Sequence, residues 1–303
     1  MKELDVVICV RDREQDRAER CVRWLRKCDN IKNIFVVDNS IKKPLTEIEG
    51  AELIRLEYDG LWNKSWVLNR GIKLCKSKYV MTIDVDILLS ESILNKIIKF
   101  LDENTLIFNK NIKRIKQFNV SEDYEDMLKK SEPWFTDPIK NLYNEANGGI
   151  QVMPLEWIKS VNGYDENAGL LWGGMDNRIW EQALMDKKAV VNLNDTMLHV
   201  EHINKEENLD EDTRRFGAMC RHLKKLYLNS KIRVNSIKNE TLWGDKIPND
   251  RFMHWLTQNE LDKEDSYLMK ETQKYSSLGF DYFLYNNIPV KIEKDDKSMP
   301  SNN

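Results

Sequence analysis

The sequence predicts an α/β fold with a mostly parallel central sheet flanked by helices. Two observations carry this. Continuous β-branched apolar runs alternate with stretches of helical period over the first third of the chain, and clusters of Asp and Arg stand directly after the runs. Runs without polar alternation mark strands buried on both faces, as in sheets covered by helices. Strand–helix–strand units of this kind close with right-handed crossovers and bind ligands at the carboxyl ends of their strands.

Val6-Val7-Ile8-Cys9-Val10 is the first such run, and Ala18, Cys21, Val22, Leu25 and Cys28 follow at helical spacing. Ile34-Phe35-Val36-Val37 is a second buried strand, ending at Asp38-Asn39-Ser40. Ala51 to Tyr58 alternates more weakly, as an edge strand does. Trp62 to Lys76 has a helical pattern in which Gly71 costs about 1 kcal/mol of propensity. Tyr79-Val80-Met81-Thr82-Ile83 runs straight into Asp84-Val85-Asp86. Ser90 is placed to cap the next helix, whose Ile93, Leu94, Ile97, Ile98 and Leu101 form one apolar stripe. From Asn109 to Glu145 the chain is polar and poorly periodic, broken by Pro133 and Pro138 around Trp134 and Phe135. That stretch reads as a surface excursion suited to an acceptor site.

Gly148-Gly149 precedes a strand-like Ile150-Gln151-Val152-Met153, Asp176 stands at the start of a helix through Leu184, and Ala189 to Leu193 is strand-like. After a charged segment, Lys205 to Asp212, the residues Phe216, Met219, Cys220, Leu223, Leu226 and Tyr227 mark an amphipathic helix. The expected organisation is a main Rossmann-like domain at 1–204, a mainly helical C-terminal extension at 205–293 and a flexible tail at 294–303.

Composition narrows the function. The 303 residues carry a formal net charge of −3 and no strongly basic block, which excludes broad nucleic-acid binding and leaves room for a small anionic ligand. No apolar run approaches the roughly 20 residues that span a bilayer. The N-terminus has no signal-peptide layout. The five cysteines, unpaired in spacing, read as small core hydrophobes in a reducing compartment. These features point to a cytoplasmic protein; they do not indicate an oligomeric state.

Asp84-Val85-Asp86 is the centre of the chemical reading. Two carboxylates one residue apart at a buried strand's end repel each other unless a cation or solvent compensates, and they suit Mn²⁺ or Mg²⁺ shared with a diphosphate. Arg11 and Arg13, just after the first strand, suit phosphates or a nucleotide, and equally a solvated helix start. Asp38 suits hydrogen bonds from a uracil ring or ribose, and equally an Asx turn. Lys64 and Asn69 are polar groups interleaved with Trp62, Trp66 and Leu68. Gly148 and Gly149 permit a turn or a close ligand approach. Trp172-Gly173-Gly174-Met175-Asp176 joins a bulky aromatic and a diglycine to a carboxylate that suits a general base or a helix cap. His199 and His202, three apart, offer one neutral imidazole as a metal ligand.

Taken in order from Val6 to about Phe216, these segments resemble the β-1,4-galactosyltransferases and the related bacterial family with chondroitin-polymerase-type enzymes. Cys9-Val10-Arg11-Asp12-Arg13 resembles the family's Pro-Phe-Arg-x-Arg stretch with the Pro-Phe pair replaced. Trp62-Asn63-Lys64 through Asn69-Arg70-Gly71 resembles its Phe-Asn-Arg-Ala-Lys-Leu-Leu-Asn-x-Gly segment. Asp84-Val85-Asp86-Ile87 is similar to its Asp-Val-Asp-Leu motif. Asn147-Gly148-Gly149, Val161-Asn162-Gly163-Tyr164 and Trp172-Gly173-Gly174-Met175-Asp176-Asn177 are similar to its Gly-Gly, Asn-Gly-Phe and Trp-Gly-Gly-Glu-Asp-Asp blocks.

The resemblance implies a GT-A fold and a glycosyltransferase that moves a sugar from a UDP-sugar to a hydroxyl of a glycan or other acceptor. It implies Asp86 and His202 as metal ligands, with Asp84 behind them or on the ribose, and His199 as the lesser candidate. It implies Trp172 as a mobile tryptophan closing over the donor, Asp176 as general base, and Gly148, Gly149 and Gly174 near the acceptor. Met175 stands where the family has a glutamate that holds the acceptor sugar, which leaves both sugars open. Two other readings stand beside it: a sugar-1-phosphate nucleotidyltransferase, which would want a glycine-rich loop that Val10 to Arg17 lacks, and a non-catalytic UDP-sugar or glycan-binding protein.

Overall fold

The computed structural model describes residues 2–58, 62–116, 122–133, 148–166, 175–201 and 243–245, with two further strands at 282–285 and 288–291. β1 (Leu4–Val10), α1 (Gln15–Leu25), β2 (Ile31–Asp38), β3 (Glu52–Arg55), α2 (Lys64–Leu74) and β4 (Tyr79–Asp84) follow in the expected alternation. Then come β5 (Ile87–Leu88), α3 (Glu91–Phe100), β6 (Thr105–Phe108), β7 (Ile112–Ile115), α4 (Tyr124–Lys130), β8 (Glu132–Pro133) and β9 (Ile150–Pro154). They are followed by α5 (Leu155–Ser160), α6 (Met175–Met185), β10 (Ala189–Asn192) and β11 (Met197–Val200). Among the described residues no helix is long and apolar enough to cross a membrane.

The main sheet has the order β10-β6-β9-β4-β1-β2-β3. β1 pairs in parallel with β2 and with β4, and β3 is the edge strand that its weak alternation predicts. β9 runs antiparallel between β4 and β6, a reversal that its apolar sequence does not mark. The carboxyl ends of β1, β2, β4 and β6 therefore share one edge with the amino end of β9. This mixed, mostly parallel sheet flanked by helices is the GT-A architecture.

Each face of the sheet buries its own core. Leu4, Val6, Ile8 and Val10 of β1 pack with Ala18, Cys21, Val22 and Leu25 of α1 and with Ile93, Leu94 and Ile97 of α3. Val7 and Cys9 point the other way, against Val67, Leu68 and Ile72 of α2 and Ile179 of α6. Each such aliphatic side chain contributes about 1.5–3 kcal/mol by leaving water. Ser90 caps α3 by accepting from the Ile93 amide at 3.2 Å. Gly71 survives in α2 because a Cβ there would press on Val7 and come 2.9 Å from Val37 Cγ2. Close packing of helix on sheet outweighs its propensity cost.

A second sheet, β5-β11-β7-β8, lies next to the first. It corrects the reading of Asn109 to Glu145 as a plain surface excursion, since β7, α4 and β8 fall inside it. β7 is buried only at Ile112 and Ile115, and α4 only at Tyr124 and Met127, pairs too sparse to stand out in polar sequence. Trp134 and Phe135 lie outside the described residues. So does most of 205–293, including Cys220 and the amphipathic helix expected around Phe216. What is described there is the turn Trp243–Asp245 and the antiparallel pair β12 (Tyr282–Tyr285) and β13 (Ile288–Lys291).

Candidate active site

The polar cluster forms where β1 and β4 end and β9 begins. β4 delivers Asp84, whose amide donates to the Gly149 carbonyl at 3.1 Å, so the Asp-x-Asp turn and the Gly-Gly turn are laced by backbone. α2 begins at Lys64 because Asn63 caps it, accepting from the Trp66 amide at 3.0 Å. That start places the Lys64 ammonium 2.6 Å from Asp84 Oδ1. The same nitrogen lies 3.5 Å from the Gly148 carbonyl.

Asp86 is positioned from the other side. β11 pairs antiparallel with β5, bringing His199 opposite Ile87. The Val200 amide donates to the Asp86 carbonyl at 2.8 Å. His199 Nε2 consequently sits 3.5 Å from Asp86 Oδ1, and Arg13 Nη2 is 3.7 Å from Asp86 Oδ2. Arg17 of α1 fixes the far end of β11, donating to the Val200 carbonyl at 3.1 Å and to the Glu201 carbonyl at 2.8 Å. Those are the two residues before His202, which itself lies outside the described residues. Arg11 donates to Asn39 Oδ1 at 2.9 Å.

Asp176 enters at the start of α6 and lies against Gly148, where a Cβ would fall on its carboxylate. Its backbone is held by a chain of buried polar groups. Thr82 Oγ1 is 2.7 Å from Tyr164 Oη, which donates to Gln151 Oε1 at 2.8 Å, and Gln151 Nε2 donates to the Asp176 carbonyl at 3.1 Å. Arg178, two residues on, forms a buried pair with Asp165 at 3.3 Å. Trp172 and Gly174 lie outside the described residues. Met175, in the place of the family's glutamate, is 1% exposed with its sulfur 3.5 Å from the Ser65 hydroxyl. Its side chain faces the core.

Asp38 and Asn69 are engaged within the fold. Asp38 is fully buried, accepts from the Ser40 amide at 2.9 Å and the Leu45 amide at 2.8 Å, and is ion-paired to Arg55. These bonds make it an Asx-turn anchor, one of its two expected roles. Asn69 is fully buried too: Nδ2 donates to the Tyr164 carbonyl and Glu166 Oε1, each at 2.9 Å, and Oδ1 accepts from the Tyr164 amide at 2.8 Å. It clasps the Gly163 turn to α2. Polar residue type alone does not separate a ligand contact from a clasp of this kind.

The electrostatics are those of too many carboxylates for the cations nearby. Burial pushes the Asp84 carboxyl up, Lys64 pulls it down, and Asp86 and Asp176 push it up again, to about 6. For Lys64, burial opposes its charge, yet Asp84 and Asp176 raise its pKa well above the ordinary lysine value. Cys9, beneath the cluster, is raised to about 12 by burial and is inert as a nucleophile. A divalent cation fits this surplus of charge, and carboxylate oxygens with an imidazole nitrogen suit Mn²⁺. Among the described residues no three such groups converge closely enough to hold an ion.

Two consequences are measurable. In chelator, Asp84→Asn should stabilise the protein at about pH 7.5 by roughly 1 kcal/mol, after discounting for solvent screening of a partly exposed side chain. The sign follows from a folded pKa near 6 against an ordinary 3.8: the folded state pays for ionisation above pH 6 and not below pH 4. The gain should therefore shrink as pH falls through that window, as denaturation midpoints across pH will show. Gly148→Ala should lower any turnover at this site by about 10–10²-fold by displacing Asp176, with little change in melting temperature.

Residues that support the cluster without a sequence assignment are Arg17, Gln151, Tyr164 and Glu166. Gln151 had a signal, a polar residue inside an apolar strand opposite the equally polar Thr82. Arg17 and Glu166 had none, since isolated charges are solvated by default.

Residues 5–155 match the family model described as Glycosyl transferase family 2. No curated protein matches the chain. Among solved structures, the chain is similar to a mutant Drosophila β-1,4-galactosyltransferase 7 in complex with manganese, UDP-Gal and xylobiose. The identity is 16% and the TM-score 0.43, over 70% of this chain and 75% of that one. The catalytic domain of the same Drosophila enzyme with xylobiose gives 17% and 0.42, over 67% and 72%.

Proposed function

The chain belongs to glycosyl transferase family 2 through residues 5–155, and from that premise we propose an inverting, metal-dependent transfer from a UDP-sugar to a hydroxyl of a glycan or other acceptor. The observation that carries the reading is the convergence of Lys64, Asp84, Asp86 and Asp176 on one sheet edge, with Asp176 seated on Gly148.

Asp86 and one histidine, either His199 on β11 or His202 two residues beyond it, would hold Mn²⁺ or Mg²⁺. Bound there, the ion supplies Lewis-acid neutralisation of the leaving diphosphate. Arg11 and Arg13 stand at the same edge to meet phosphate oxygens. Lys64 keeps Asp84 oriented and offers its own positive charge beside the diphosphate. Asp176 accepts the acceptor's proton as the acceptor oxygen bonds to the anomeric carbon and the electron pair of the old bond leaves with UDP. Attack opposite the leaving group inverts the anomeric centre. Gly148 and Gly149 leave the acceptor room to approach Asp176. The family resemblance adds Trp172 closing over the donor and Gly174 beside the acceptor. A cytoplasmic setting accords with the buried free thiols Cys9, Cys21, Cys28 and Cys75.

A panel of UDP-sugars with Mn²⁺ and hydroxyl acceptors, read as UDP release, tests the reading. Acceptor-dependent release from at least one donor is expected. UDP binding without release from any donor would instead support a non-catalytic binding protein.

A further inference from the structure

Glu166 lies outside the polar cluster but ties together three pieces of chain that lead to it. Its backbone carbonyl accepts from Asn63 Nδ2 at 2.8 Å. Its Oε1 accepts from Asn69 Nδ2 at 2.9 Å and from the Gly244 amide at 2.6 Å. The residue is 3% exposed. A buried carboxylate persists only where donors replace its lost hydration. Here one donor comes from α2 and the other from far along the C-terminal part of the chain.

Asn63 is the cap of α2 and directly precedes Lys64. With Nδ2 on the Glu166 carbonyl and Oδ1 taking the Trp66 amide, its side chain is fixed at both ends. The start of the helix, and with it the Lys64 ammonium on Asp84, is thereby set. Gly244 reaches Glu166 with φ +74°, a conformation that glycine adopts without strain. The turn around it is bound to the domain at several points. Trp243 is buried against Gly163, where a Cβ would come 2.6 Å from its ring. Arg70 lies 3.3 Å from the Gly244 carbonyl, and Lys73 pairs with Asp245.

We propose that Glu166 is a positioning residue for the transfer reaction and that the Trp243–Gly244–Asp245 turn completes its seat. The turn lies beyond the family-matched residues, so a C-terminal segment becomes part of the catalytic apparatus. The proposal rests on the glycosyltransfer reading for its kinetic arm. It has a second arm that does not depend on turnover.

The test uses the full chain with Glu166→Ala, Glu166→Gln, Trp243→Ala and the Glu166→Ala/Trp243→Ala double variant. Turnover is expressed per UDP-binding site counted by calorimetry, which removes the effect of unfolded protein. Glu166→Ala should lower kcat at least about tenfold with donor KM changed less than about threefold, because the Lys64 charge remains while its alignment is lost. Glu166→Gln, whose Oε1 still accepts from both donors, should restore kcat to within about threefold. Amide exchange at Trp66 should quicken by about tenfold or more in Glu166→Ala and in Trp243→Ala, and the double variant should be no worse than the poorer single. An unchanged kcat per site, an equal loss in Glu166→Gln, or multiplicative losses in the double variant overturns the proposal. If the wild type transfers no sugar, the functional reading fails on its own. Trp66 exchange then decides: unchanged exchange overturns the clamp, and faster exchange supports it.

Discussion

Asp176→Asn is expected to lower sugar transfer by about 10²–10⁴-fold, the range of a lost general base. UDP affinity in Mn²⁺ should stay within about threefold, since the lost interaction belongs to the transition state. Asparagine keeps the volume and the backbone contacts, including the Gln151 hydrogen bond to the residue 176 carbonyl at 3.1 Å. It cannot take a proton from an acceptor hydroxyl. Gly148 makes the assignment specific, because a carboxylate pressed against a glycine Cα has been given room that any other residue would fill. Initial rates and calorimetric UDP titrations on the same preparation separate the two effects. Full transfer activity would remove Asp176 from the mechanism.

Asp86→Ala should abolish the metal dependence of UDP binding. Affinity in Mn²⁺ is expected to fall by about 10²-fold, to the value that the wild type shows in chelator. Asp86 is buried beside Arg13 and His199, at 3.7 and 3.5 Å. In chelator the variant should bind UDP no more weakly than the wild type, because removing a buried carboxylate removes its repulsion toward the diphosphate. Equal UDP affinity for wild type and variant in saturating Mn²⁺ would exclude Asp86 as the ligand.

Much of this site is legible in the sequence, for an identifiable reason. β1, β2 and β4 are buried on both faces, so they appear as unbroken apolar runs, and the charged residues at their ends stand out. That contrast exposes Asp84, Asp86 and the arginines after β1. β9 and β11 defeat the same reasoning. Nothing in Ile150-Gln151-Val152-Met153 records that the strand runs backwards, and β11 reaches Asp86 only through pairing with the two-residue β5. Asp38 and Asn69 show the converse difficulty. Each is a polar residue where a ligand contact is expected, yet each is consumed by distant backbone: Asn69 holds Tyr164, and Asp38 holds Leu45. Glu166 is the extreme case, since its importance lies in partners at Asn63, Asn69 and Gly244 that only the folded chain brings together.

Met175 also changes meaning in the fold. In sequence it replaces a glutamate and suggests an altered acceptor site. In the structure its side chain packs on Ser65 in the core beneath α2.

The most direct test is the anomeric configuration of the first product formed from a UDP-α-sugar, followed by proton NMR during the reaction. With Asp176 as base in a single in-line displacement, the new glycosidic bond is β, and the product signal grows only with enzyme, Mn²⁺ and acceptor together. An α-linked product, or UDP-sugar consumed without any new glycosidic bond, would contradict the account.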